Sequence, residues 1–185
     1  MANEKRYPID DFLDEIRSHR EDRGYLSRLR RGLPSTTEDQ AWGILVAQGF
    51  NFLDPVKRRI WLTIGAVAAM LEPDNLVRTD KGENLGAVLH GLAWEKGKKP
   101  RENVSRTYET KLRRLLNCSS TEELCDLAVG VCRMAAAKGI PVNCRQLYFD
   151  LNGWDDPDRR EKTRVNWTIQ YHRPQEGREG GEELS

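Results

Sequence analysis

Apolar residues recur at steps of three and four along almost the whole chain, and no window holds a sustained two-residue alternation. The expected fold class is therefore all-α. Ile9, Phe12, Leu13 and Ile16 give the first amphipathic segment. A short helix follows over residues 24–34, closed by Gly32 and Pro34 as helix ends tend to be. Thr37 with Gln40 three residues on predicts a capping-box start for a helix through Trp42, Leu45 and Val46 to Gly49. Asp54-Pro55 supplies an N-cap and a first-turn proline for a longer helix that ends near Leu71. Asp80 and Glu83 start another, running through Leu85, Val88, Leu89 and Leu92 to Trp94.

The second half repeats this grammar. Val104, Tyr108, Leu112 and Leu115 form one apolar stripe, with Arg106 and Arg113 expected on one flank and Lys111 and Arg114 on the other. Ser120 with Glu123 opens the next helix, which Leu124, Leu127, Val131 and Met134 are expected to bury and Gly139 and Pro141 to stop. Residues 143–151 make a shorter helix through Leu147 and Tyr148. Asp156-Pro157 caps the last, which carries Val165, Trp167, Ile169 and Tyr171. Gly97 and Pro100 interrupt the pattern. The expected organisation is two small helical bundles, residues 1–96 and 103–173, joined by a basic Gly/Pro-containing linker at 97–102. Residues 174–185, acidic and glycine-rich with almost nothing to bury, are expected to be disordered.

Charge changes this picture at one place. The 185 residues carry a formal charge of only +1, yet residues 96–114 hold +6 and the remainder −5. Such asymmetry is an electrostatic footprint for an anionic partner that a nearly neutral pI conceals. The longest apolar run, residues 60–71, contains Thr63 and Gly65 and falls short of the roughly 20 residues that span a bilayer. Residues 1–14 are charged throughout and unlike a signal peptide. A soluble, cytoplasmic protein without membrane contact is expected.

Candidate chemistry is thin. His19, His90 and His172 are isolated in sequence, none beside a nucleophile or in a metal-binding pair. Cys118, Cys125, Cys132 and Cys144 form no Cys-x-x-Cys pair, so small buried hydrophobes in a reducing compartment is the favoured reading and no metal or other cofactor is expected. No phosphate-binding glycine loop is present, and Asp155, Asp156 and Asp158 lack the glycine turn and closing glutamate of a calcium loop. No catalytic residues are assigned.

Basic residues remain: Arg28, Arg30 and Arg31; Lys57, Arg58 and Arg59; and Lys96, Lys98, Lys99, Arg101, Arg106, Lys111, Arg113 and Arg114. Three arginines within four positions cannot share one helix face, so at least one of the first group should point toward protein or a partner. The second group sits in a helix's first turn, where the dipole disfavours cations. This distribution suits contact with nucleic-acid backbones better than base reading. The alternative is a stand-alone helical protein–protein adaptor whose basic face is merely solvated.

Residues 24–34 followed by a tryptophan-containing helix, then Arg106-Thr-Tyr-Glu-Thr-Lys-Leu-Arg-Arg-Leu-Leu116, then Gly139-Ile-Pro-Val-Asn ahead of Leu147-Tyr-Phe-Asp-Leu-Asn-Gly-Trp154, resemble the CasB-type small subunit of the type I-E CRISPR Cascade surveillance complex. The resemblance spans about residues 10–172. It implies a non-catalytic all-helical protein that pairs head to tail with a second copy of itself. Its other partners would be the guide-RNA backbone subunits, the large subunit, the guide RNA and the target DNA, whose target and displaced strands it would hold. By the same resemblance Arg30, Arg31, Lys57, Arg58, Lys111, Arg113 and Arg114 match basic positions of the family. Lys96, Lys98 and Lys99 rest on charge alone.

Overall fold

The computed structural model describes residues 6–77, 83–94 and 102–173. Among these the chain forms nine α-helices: α1 (Pro8–Ser18), α2 (Arg23–Arg31), α3 (Asp39–Ala47), α4 (Pro55–Met70), α5 (Leu85–Ala93), α6 (Glu102–Leu116), α7 (Thr121–Ala137), α8 (Cys144–Asn152) and α9 (Pro157–Tyr171). The all-α expectation holds, with one addition. Leu76–Val77 (β1) and Val142–Asn143 (β2) pair as a two-residue parallel bridge, too short to leave an alternating pattern in sequence.

The centre of the molecule is α4. Its residues 60–69 are all buried, and a helix that is apolar on every side belongs inside a core. Gly65, Ala66, Ala68 and Ala69 keep its girth small, and the ring of Phe12 and a methyl of Leu29 lie 3.1 Å from where a Cβ on Gly65 would stand. α7, α2 and α8 make its largest contacts, with α1 and α3 adding to them. Asp54 caps its start by accepting from the amides of Val56 and Lys57 (3.0 and 3.1 Å). Its last carbonyls are satisfied by Arg20, which donates to Leu71 O (2.8 Å) and Ala68 O (3.0 Å).

One hydrophobic cluster runs from Ile9 to Tyr171. The halves on either side of the expected linker are thus packed together: α4 lies on α7 and α8, and α5 lies on α9, α6 and α7. Residues 97–101 and the acidic tail fall outside the described residues. α1 is fastened to α8 by Arg145, whose Nε lies 3.0 Å from Asp10 Oδ1 and whose guanidinium sits over the rings of Tyr7 and Phe149.

Several local expectations change. Asn84 caps α5, accepting from the amides of Gly86 (2.9 Å) and Ala87 (3.2 Å); Asp80, the expected start, lies outside the described residues. Thr37 does not cap α3; its hydroxyl donates to Arg31 O (2.7 Å) and ties the loop to the end of α2. Trp42 and Val46 of α3, and Val165 and Ile169 of α9, are exposed. Their helices instead turn Ala41, Ile44 and Leu45, and Trp167 and Tyr171, inward, because i to i+4 spacing places those residues on the faces that meet the core. Ser120 does cap α7, accepting from Glu123 N (3.2 Å).

Candidate nucleic-acid interface

α6 is held by Leu112 and Leu115, both buried, while Arg106, Arg113 and Arg114 are exposed and Lys111 is half-exposed. Arg106, Thr107, Thr110, Lys111 and Arg114 border a shallow open hollow of about 400 Å³. Arg106 thus borders one hollow together with Lys111 and Arg114, as positions 106, 110, 114 and 107, 111 fan over one side of the helix. Arg113, two turns from Arg106 and on its flank of the helix, does not border the hollow and pairs with Glu109 (2.6 Å). Among the described residues Arg106, Lys111 and Arg114 have no ion-pair partner, so their charge faces solvent uncompensated.

A second, more enclosed hollow of about 150 Å³ lies between α6 and α7. Lys111 and Arg114 stand on its α6 side and Asp126 on its α7 side, over a floor that includes Leu127, Val131 and Met134. Leu127 and Met134, expected in the core, are half-buried because they form this floor. Asp126 pairs across the surface with Arg59 of α4, and Arg59 Nη1 also donates to Leu33 O (2.6 Å) in the loop after α2. That arginine therefore links the end of α2, the start of α4 and the rim of the α6–α7 hollow.

The three cations in the first turn of α4 diverge. Lys57 is exposed, 3.8 Å from the cap residue Asp54. Arg58 donates to Phe52 O (3.1 Å), lies 3.7 Å from Glu38 and covers the rings of Trp42 and Phe52. Arg59 is committed as described. The dipole conflict is thus relieved within the molecule by carbonyls and carboxylates. On α2, Arg28, Arg30 and Arg31 are all exposed, since only Tyr25 and Leu29 of that helix are buried, and none of the three lines either hollow. Lys96, Lys98, Lys99 and Arg101 lie outside the described residues.

His90 and the cysteines are packed away, while His172 is exposed and His19 partly so. His90 Nδ1 lies 2.8 Å from Tyr171 O and its ring stacks on Trp94. All four cysteines are free and buried, and burial pushes Cys118 up to about 11 and Cys125 and Cys132 up to about 12, which keeps them as inert thiols at neutral pH. No group of three or more His, Cys, Asp or Glu among the described residues is arranged to hold a metal ion. No helix among them is long and apolar enough to cross a membrane.

The sequence pattern singles out neither Asp126 nor Gly130, and it places Arg59 only as one of three cations in a helix's first turn. Asp126 has no local signal, because its partner is 67 residues away.

Residues 25–172 match the family model described as CRISPR-associated protein Cse2 (CRISPR_cse2). No curated protein and no solved structure matches the chain.

Proposed function

The chain belongs to the CRISPR-associated protein Cse2 family, the small subunit of the type I-E CRISPR Cascade complex, and on that premise we propose that it holds nucleic-acid backbones there, stabilising the R-loop in antiviral defence. The observation that carries this reading is the uncompensated set Arg106, Lys111 and Arg114 beside two hollows on a helix whose other side is packed into the core. Exchanging a DNA duplex for a guide–target heteroduplex is nearly balanced in free energy, so cations at fixed positions can tip it toward the open state. That task needs no catalytic group, and the subunit is non-catalytic in this reading. Lys57 of α4 and Arg30 and Arg31 of α2, exposed as well, would extend the path of the target or displaced strand.

Assembly with guide-RNA backbone subunits, the large subunit and a second copy of the chain, in the cytoplasm, forms part of the same proposal. Two distinct apolar surfaces support it. One comprises Trp42 and Val46, a turn apart on α3, the other Val165 and Ile169, a turn apart on α9. A molecule with two different sticky patches suits head-to-tail contact, in which unlike surfaces meet.

The test uses the complex assembled with an Arg106→Ala, Lys111→Ala, Arg114→Ala chain. Strand displacement should fall, and binding of the isolated chain to single-stranded DNA should lose about 0.7 in the slope of log K against log salt for each phosphate contact removed. Arg113→Ala, which disturbs a residue already paired with Glu109, should leave both nearly unchanged. Undiminished strand displacement in the triple variant would overturn the reading.

A further inference from the structure

The carboxylate of Asp126 has two neighbourhoods at once. It is the ion-pair partner of Arg59, and it lines the hollow whose opposite side carries Lys111 and Arg114. We propose that Asp126 is an internal competitor for nucleic acid: it occupies Arg59 until one nucleotide of a bound strand enters the hollow, sets its phosphate against Lys111 and Arg114, and takes Arg59 as a third cationic contact. This deepens the nucleic-acid reading above and rests on it.

Arg59 cannot leave when Asp126 is displaced. Its other guanidinium nitrogen donates to Leu33 O, and it stands one residue before the fully buried stretch of α4. The freed nitrogen stays aimed at the rim.

Asp126 is also not needed to join the two helices. α4 and α7 already share the largest helix–helix contact of the fold, and the Asp126 side chain is 62% exposed, where an ion pair adds little. A carboxylate beside two uncompensated cations does, however, weaken their field by direct opposition.

The lining of the hollow suits the phosphate and sugar edge of one nucleotide. About 150 Å³ accommodates several waters' worth of volume, cations stand on one side for a phosphate, and Leu127, Val131 and Met134 offer an apolar floor to a sugar or base edge. Gly130 supports the same conclusion independently. It lies in the interior of α7, where glycine is the poorest helix former apart from proline, and a Cβ there would meet nothing within 4 Å. Packing does not demand glycine at this position, but Gly130 lines the hollow, and any long side chain in its place would fill it.

Affinity of the full-length isolated chain for a single-stranded oligothymidylate, measured over a salt series, tests the proposal. Asp126→Asn, which keeps the side-chain shape, should tighten binding about three- to tenfold at low salt and steepen the salt slope by about 0.7. Adding Arg59→Gln to that variant should remove most of the gain, and Gly130→Leu should weaken binding with the helical circular-dichroism signal intact. If Lys111→Ala with Arg114→Ala weakens binding but Asp126→Asn leaves it unchanged, the competitor role is overturned and the nucleic-acid reading stands. If Lys111→Ala with Arg114→Ala has no effect either, that reading falls with it. Should Gly130→Leu spare DNA binding and instead abolish assembly with a protein subunit, the hollow is a protein socket and the proposal is overturned.

Discussion

Gly86 on α5 faces the backbone of Trp167 on α9 so closely that a methyl group at position 86 would lie 1.9 Å from the Trp167 carbonyl oxygen. The obstacle is backbone, which cannot rotate away. Gly86→Ala should therefore push α5 off α9 and destabilise the chain by about 2–3 kcal/mol, the upper part of the usual overpacking range. Urea denaturation followed by tryptophan fluorescence reads this directly, since Trp167 is fully buried. A loss no larger than that of Gly43→Ala, where a Cβ meets nothing within 4 Å, would mean the two helices are not in this contact.

Asp150 gives the core a pH dependence. Its carboxylate accepts from Trp167 Nε1 and Gln146 Nε2, both at 2.8 Å, yet burial outweighs these bonds and raises it from 3.8 to about 6. A carboxyl group with a folded pKa above its unfolded value binds more protons in the folded state between those two values. Its contribution to stability is then fully present below pH 4 and is lost as pH rises through 6. The stability difference between wild type and Asp150→Asn should shift in favour of the variant across that window, by up to about 3 kcal/mol. Urea midpoints at intervals from pH 4 to 7 measure it, and a difference independent of pH would refute the assignment.

Two cross-helix ion pairs should differ sharply in weight. Arg145 and Asp10 are 5% and 14% exposed, so Arg145→Ala leaves the largely buried Asp10 carboxylate without its cation and should cost about 3–5 kcal/mol. Asp126 is largely exposed, and Asp126→Asn should change stability by less than about 1 kcal/mol. Thermal unfolding of the two variants side by side gives the comparison.

The cysteines should behave as core residues. With all four buried as free thiols and raised by burial, the native chain should react with a thiol-specific dye at pH 8 far more slowly than the denatured chain. A rapidly labelled cysteine in the native protein would contradict that packing.

What was legible in the sequence is local. The Asp54-Pro55, Ser120 and Asp156-Pro157 helix starts stand as expected, since a cap joins a side chain to amides two or three residues on. The apolar stripe of α6 and its cationic shoulders were equally readable, because helical periodicity alone decides which side chains share a face.

Which apolar face meets the core is not local, and there the pattern misled. Trp42, Val46, Val165 and Ile169 look like core positions and lie outside it, because an apolar residue is buried only if another element arrives to cover it. The same limit applies to α4, whose central place depends on five other helices packing round it. By itself the sequence determined an all-helical chain of the Cse2 family with its cations on defined helices. Only the tertiary structure decided that Arg59 meets Asp126, and that Lys111 and Arg114 of α6 share a hollow with Asp126 and Gly130 of α7. Contacts between distant residues depend on how helices cross, and no short window of sequence encodes a crossing.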